Sequence, residues 1–397
     1  MVNSSKSYFC IRPFNSVVIS TDGAIHTCCA IRTCGQIQEN SYNIKNNNIE
    51  DYWNSNYLLG LRKKFLNNQK PKECKKCWDQ EDNLLQSHRL ESNFQYKSIF
   101  KKNYVKNLEL IKKNNLDYPE DIELSITNIC NLSCQMCTGK NSSRLLIENN
   151  FLKFENLEQG DYDLDEKTKL EIEKIITHDL KLLNLRGGEP LVNKTIIKII
   201  EKLVVTGKSK KMTLHITTNG TTCNNKIINL LREFENVRIM FSIESVGKFN
   251  DYIRYPSNWN DIEKNILAFK NLKNAYLYIN TVVQNLNLLY LEPLINFANL
   301  NKIFLRFSIL SSPKYLEFDN LPLDLLKKSY ENLNNIDKKK LIHTKNIKEI
   351  IKLLKIKIDT HKHDKEKFTM FTGMIKKRDQ YRKISIQDYM PEIYNIL

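Results

Sequence analysis

Residues 122–137 read IELSITNICNLSCQMC, a short β-rich run that leads into a loop carrying three cysteines. The run IELSIT (122–127) has the length and residue types of a strand. The loop places Cys130, Cys134 and Cys137 with three and two residues between them, so one loop can bring three thiols to one point. Thiolates are natural ligands of iron–sulfur clusters. Three of them leave one iron of a [4Fe–4S] cluster open to a substrate or cofactor. A zinc site would normally need a fourth nearby Cys or His, and the local sequence offers none.

Outward from this stretch, further strand candidates are LLNLRG (182–187), MTLHITT (212–218), NVRIMFSI (236–243), AYLYINTVV (275–283) and KIFLRFSI (302–309). Helical patterns separate them, beginning at Asp165, Asn193, Asn224 and Asp261, residues that make good N-caps. Strands alternating with helices predict an α/β fold with a parallel array, because parallel neighbours need a helical crossover. A partial barrel and an open doubly wound sheet both fit, and in either one the functional loops sit at the carboxyl ends of the strands. Residues 1–95 read differently. SVVIS (16–20), a turn at Asp22-Gly23 and AIHTCCA suggest a hairpin, followed by a helical stretch from Ile49 and a Cys74-x-x-Cys77 pair. This segment is too small and cysteine-rich to resemble the array. We expect a connecting helix over 96–120, the array over 121–320, and a lysine-rich helical extension over 321–397 without recognisable chemistry.

At ~150 residues per domain, a chain of 397 residues holds more than one domain. With 41% hydrophobic and 27% charged residues it reads as globular rather than disordered. No apolar run reaches the ~20 residues of a membrane span, and the N-terminus lacks an apolar signal core, so the cytoplasm is the expected location. The net charge of +16 and pI of 9.2 come from lysines spread along the whole chain. That pattern predicts a solvated surface rather than a nucleic-acid groove. Ten cysteines are far too few for a disulfide scaffold, and their grouping favours metal or redox chemistry.

The three-cysteine loop after a first strand resembles the signature of the radical S-adenosylmethionine (SAM) superfamily. Later motifs match in order. Gly187-Gly188-Glu189-Pro190 resembles the family's GGEP segment, which implies that it holds the SAM amino group. Glycines permit close backbone approach to a ligand, and a carboxylate suits a cationic amine. Asn219 follows the third strand in ITTNG, and FSIES places Ser242 and Glu244 at an i, i+2 spacing on one strand face. The resemblance implies contacts from these residues to the SAM ribose and carboxylate, and from Arg254 to that carboxylate. Met136 stands where the family usually has an aromatic residue near the adenine, a departure that a large, polarisable side chain tolerates. The similarity covers residues 122 to about 310 and implies a partial (β/α)6 TIM-like barrel.

The N-terminal cysteines are Cys10, Cys28, Cys29, Cys34, Cys74 and Cys77. Their context resembles the twitch module, a shorter relative of the SPASM domain that holds an auxiliary cluster. Many relatives carry that module after the barrel, whereas here it comes first. One [4Fe–4S] cluster takes four cysteines, so six support one auxiliary cluster rather than two. We assign it to Cys10, Cys28, Cys74 and Cys77, with Cys29 and Cys34 as rivals and a zinc ribbon as the alternative. Cys223 and the histidines 26, 88, 215, 361 and 363 show no metal-binding pairing.

The resemblance implies a radical SAM enzyme that cleaves SAM reductively to a 5′-deoxyadenosyl radical, served by an electron donor such as flavodoxin or ferredoxin. We expect a net oxidation of a small polar or sugar-like substrate, with peptide modification as the alternative. No catalytic acid or base is visible in the sequence. A non-enzymatic iron–sulfur or zinc protein that binds nucleic acid would leave GGEP, ITTNG and FSIES without a reason.

Overall fold

In the computed structural model of this chain, the described residues are 7–32, 42–82, 86–100, 109, 118–154, 165–337, 341–342, 344–362 and 364–397. Cys34, His363 and most of the expected connecting helix over 96–120 lie outside them. The chain forms two units, one of Met1–Thr127, Tyr162–Gly187 and Ile199–Leu214, the other of Asn128–Asp161, Gly188–Lys198 and His215–Leu397.

In the first unit the predicted hairpin forms from β1 (Ser16–Ile19) and β2 (Ile25–His26), antiparallel with Val18 opposite His26. Gly23 makes the turn at φ 82. Contrary to the expectation that this segment stands apart from the array, β1 lies parallel against β3 (Asp121–Leu124), from Ser16↔Asp121 to Ile19↔Leu124. β3 in turn lies parallel against β4 (Leu182–Leu185), giving the order β2-β1-β3-β4. The reason is local. SVVI is apolar on both faces, as an interior strand of a parallel sheet must be, and all of β1, β3 and β4 is buried. The polar residues in these strands are therefore paired. Asp121 accepts from Arg12 Nη1 at 2.8 Å and from Asn184 Nδ2 at 2.8 Å, and Glu123 accepts from Arg186 Nη1 at 3.2 Å. The helical stretch from Ile49 divides into Ile49–Trp53 and Asn56–Leu66, because the Ser55 side chain caps the second helix by accepting from Leu58 N.

The second unit contains β5 (Thr213–Thr218, from His215 onward), β6 (Asn236–Ser242), β7 (Ala275–Val283) and β8 (Phe304–Ile309), in that order. β6–β7 and β7–β8 are parallel. The fold is thus α/β with parallel strands and a helical C-terminal region, and within neither unit do the described strands close on themselves. Along β7 burial alternates: Leu277, Ile279, Thr281 and Val283 are buried, while Tyr276, Tyr278, Asn280 and Val282 are partly open. Asp165, Asn193 and Asn224 do cap the following helices through their side-chain oxygens. Asp261 does not. Asn258 caps Trp259–Lys270 instead, which starts the helix early enough to bury Trp259 with Ile262, Ile266 and Phe269. The C-terminal region adds Leu323–Asn335, Thr344–Asp359 and Lys365–Arg382.

Breaking one partner of a buried ion pair leaves a bare charge, so Arg12→Met should cost about 3–5 kcal/mol. Adding Asp121→Asn should recover most of that loss, as read from urea unfolding of the apoprotein.

Candidate functional site

The three-cysteine loop lies in the second unit, where its backbone is fixed from several directions. Ser133 N donates to Tyr255 O at 2.6 Å and Gln135 N to Ile253 O at 2.8 Å. Ser142 Oγ donates to Leu132 O at 2.6 Å, and Asn131 bonds both Thr221 and Asn219. Cys134 is buried, and Cys130 and Cys137 are half-buried. Burial, and then the neighbouring Cys134 thiol, push Cys130 and Cys137 up to about 12. Burial also raises Cys134, against the pull of Arg254, whose Nη1 lies 3.6 Å from its Sγ. Thiols placed like this stay protonated near neutral pH, and forming thiolates requires compensating positive charge.

The GGEP segment meets this loop directly. Gly188 has φ 55, and a Cβ there would fall 2.2 Å from Ile129 O. Glu189 N donates to that same carbonyl at 2.8 Å. Gly188 thus permits a close approach to the chain's own cysteine loop. Gly187, at φ 83, leaves only 2.9 Å from its Cβ position to Thr127 O. Pro190 is buried at the next turn. The Glu189 carboxylate accepts from Asn219 N at 2.6 Å, Thr218 Oγ1 at 2.7 Å and Leu191 N at 3.1 Å. Burial raises its pKa against those bonds, and its charge is felt at Cys130.

Ser242 and Glu244 do not share a strand face. β6 stops at Ser242, which is half-buried, because Glu244 N bonds Asn250 Oδ1 rather than continuing the ladder. Glu244 is fully buried and pairs with Arg254 Nη2 at 2.5 Å while also accepting from Val282 N. Arg254 is thereby neutralised on one side and turned toward Cys134 on the other. Met136 sits half-buried between Gln135 and Cys137.

The first unit holds Cys10, Cys28, Cys29, Cys74 and Cys77. Cys10, Cys28 and Cys77 are buried and Cys74 is half-buried. Burial raises the Cys74 thiol first, followed by Cys10, Cys28 and Cys77 in turn, which sets these four together. The Cys29 Sγ lies 3.8 Å from Nε2 of His88 and is also felt at Cys28 and Cys77, while after burial its own electrostatic neighbours are Glu123, Arg186 and Arg12. Burial, then Arg12, hold the His88 imidazole down at about 4, so it is neutral. Arg89 forks onto Glu81 at 2.9 and 2.6 Å and donates to Phe9 O, next to Cys10, at 2.7 Å. Cys223 is half-buried, with burial alone raising its pKa. Among the described residues no three His, Cys, Asp or Glu side chains gather tightly enough for a single metal ion.

Sequence reading missed Arg378 and Arg382, which reach the cysteine loop from the Lys365–Arg382 helix. A signal for them existed. In a chain rich in lysine, the core stripe Phe371-Ile375-Arg378-Arg382, spaced four, three and four, carries arginine.

Comparison with known proteins agrees with this geometry. A family model described as the radical SAM superfamily matches residues 124–298, and one for SPASM, an iron–sulfur cluster-binding domain, matches 10–78. The chain carries a radical SAM domain and, on its N-terminal side, a SPASM domain. A radical SAM domain takes a [4Fe–4S] cluster and SAM, and a SPASM domain takes auxiliary iron–sulfur clusters. An uncharacterised protein of Methanocaldococcus jannaschii is 29% identical over 46% of this chain and 59% of its own length. A GTP 3′,8-cyclase of Clostridium perfringens is 27% identical over 48% of this chain and 54% of its own. A sporulation killing factor maturation protein of Bacillus subtilis is 25% identical over 37% of this chain and 32% of its own. The chain thus spans little more than half the length of the first of these relatives.

Two expectations follow from the geometry. Gly188→Ala should push Ile129 out of place and cost the loop its iron, about four irons per chain by ferrozine assay, while the N-terminal set keeps its own. In the apoprotein, thiols near 12 expose little thiolate at pH 8.5, and their greater nucleophilicity offsets only part of that deficit. Iodoacetamide should therefore modify Cys130 and Cys137 at least about tenfold more slowly than a free cysteine peptide, by mass spectrometry.

Proposed function

We propose that the protein is an enzyme that cleaves SAM reductively and uses the resulting radical to oxidise a polar substrate. The observation that carries this reading is the joining of the Cys130–Cys134–Cys137 loop to Glu189 through the Glu189 N–Ile129 O bond. Cys130, Cys134 and Cys137 hold the first cluster in this reading, and Cys10, Cys28, Cys74 and Cys77 hold the auxiliary one. When bound, the first cluster and SAM supply a 5′-deoxyadenosyl radical that takes hydrogen from an unactivated carbon, and the auxiliary cluster supplies an acceptor for the electron that an oxidised product must lose.

The chain's own residues bind and orient. Glu189, already held by Asn219, Thr218 and Leu191, has a lone pair left on Oε2 for the SAM amine. Gly187, Gly188 and Pro190 set its position, Asn219 follows β5 and donates to it, and Ser242 ends β6. The Glu244–Arg254 pair serves Cys134 and anchors the adjoining loop rather than offering a free cation to the SAM carboxylate. Met136 covers the adenine side. The partly open face of the second unit's sheet carries His215, Tyr278, Asn280, Arg306 and Ser308, with Tyr278 bonded to His215 and Ser308 to Asn280. Such a face suits a small polar or sugar-like substrate, in keeping with one relative being a GTP cyclase. Peptide modification is the second reading, favoured by the relative that is a maturation protein. We place the protein in the cytoplasm with a flavodoxin or ferredoxin as electron donor; among the described residues no helix is long and apolar enough to cross a membrane.

The test is anaerobic incubation of the reconstituted protein with SAM and dithionite. The wild type should hold about eight irons and form 5′-deoxyadenosine. Replacing Cys130, Cys134 and Cys137 with Ala should remove about four irons and all SAM cleavage. Glu189→Ala should keep the iron and weaken SAM binding. Replacing Cys74 and Cys77 should leave 5′-deoxyadenosine forming without oxidised product. SAM cleavage surviving loss of the three loop cysteines would refute the assignment.

A further inference from the structure

The C-terminal extension looked featureless in sequence, yet it places two buried arginines on the cysteine loop. Arg378 and Arg382 are 2% and 6% exposed. Arg382 Nη2 donates to Ser133 O at 2.6 Å, and Arg378 Nη1 donates to Gln135 O at 2.8 Å and to Gln135 Oε1 at 2.7 Å. The amides of the same two residues, Ser133 and Gln135, are already bonded to Tyr255 O and Ile253 O. Residues 133 and 135 are therefore gripped from both sides, by backbone at their N–H groups and by guanidinium at their carbonyls. Cys134 lies between them.

The charge balance points the same way. Both arginines share a single carboxylate, Glu148, with Arg382 forked onto it at 3.0 and 2.8 Å and Arg378 Nε 3.4 Å away. Asn149 takes another Arg378 donor at 3.2 Å. Asp379, half-buried on the same helix, also feels the charge of Arg382, so the two guanidiniums meet one fully buried carboxylate and one that is partly open. A buried cation is better placed when further negative charge faces it, and the loop's cysteines would supply that charge once ligated as thiolates.

We propose that Arg378 and Arg382 are positioning residues for the cluster-binding loop, so that the C-terminal helix is a working part of that site. They hold the carbonyls on either side of Cys134 and offset the negative charge of the ligated loop. The inference rests on the reading that this loop binds the first cluster, but the grip itself is a property of the apoprotein and can be tested there.

Hydrogen exchange of the full-length apoprotein reads the grip. In an Arg378→Gln, Arg382→Gln variant, exchange across 130–137 should rise about tenfold or more while β6 and β7 keep wild-type protection. After reconstitution that variant should hold about four irons instead of about eight, the remainder disappearing when Cys74→Ser and Cys77→Ser are added. Arg378→Lys with Arg382→Lys keeps the charge but loses the fork. It should recover the electron paramagnetic resonance signal of the reduced loop cluster while exchange over 130–137 stays fast. Lys376→Gln, which removes an exposed cation from the same helix, should change nothing. A glutamine pair with wild-type exchange and full iron overturns the proposal. If the glutamine pair unfolds β6 and β7 as well, the lysine pair decides: wild-type exchange over 130–137 overturns the proposal, and faster exchange there supports it. Retention of about eight irons after loss of Cys130, Cys134 and Cys137 would instead sink the cluster reading and leave the exchange result to judge the grip alone.

Discussion

Burying several thiols close together is the constraint that shapes both units of this protein. Each thiolate in such a place must be neutralised, and each backbone group around it must find a partner away from water. The sequence responds with arginine. Its planar fork can serve a carbonyl and a carboxylate at once, which a lysine ammonium cannot do with the same geometry. Arg89 spans Glu81 and the carbonyl of Phe9 beside Cys10, and Arg382 spans Glu148 and the carbonyl of Ser133 beside Cys134. Two unrelated stretches of chain have reached the same local arrangement.

A second economy lies in the carboxylates. Glu189 and Glu244 are both buried in the second unit, yet their surroundings separate their tasks. Glu244 meets a guanidinium at 2.5 Å and is spent on it. Glu189 meets only neutral donors, two amides and a hydroxyl, so its charge is still available to a cation. The difference was invisible in the motif, since both residues read alike as acidic side chains near strand ends.

What the sequence made legible was local. The strands β3 to β8 follow from apolar, β-branched runs, and three of four helix starts follow from an Asn or Asp in the capping position. The cysteine loop and GGEP were legible because unusual residue types sit at fixed spacing. What escaped was contact between distant positions. Nothing near Ser16 announces that its strand pairs with Asp121, and nothing near Ser242 announces that Asn250 will end β6. Cys28 and Cys29 are adjacent in sequence, so spacing could not rank them. Their surroundings differ in part: Cys74 feels the Cys28 thiol, and Cys29 has the His88 imidazole beside it, yet Cys28 and Cys77 both feel Cys29.

The two guanidinium contacts on the cysteine loop also set an order of events. They close over sequence separations of 243 and 249 residues. A contact that spans so much chain pays its loop-closure entropy late, and in a protein made from the N-terminus its second partner is made only long after the loop itself. The cysteines of the loop therefore exist through all of that intervening synthesis without the groups that shape them. The first unit faces no such delay, because Arg89 and Phe9 are separated by only 80 residues. Its own cysteine set can take form while the rest of the chain is still being made.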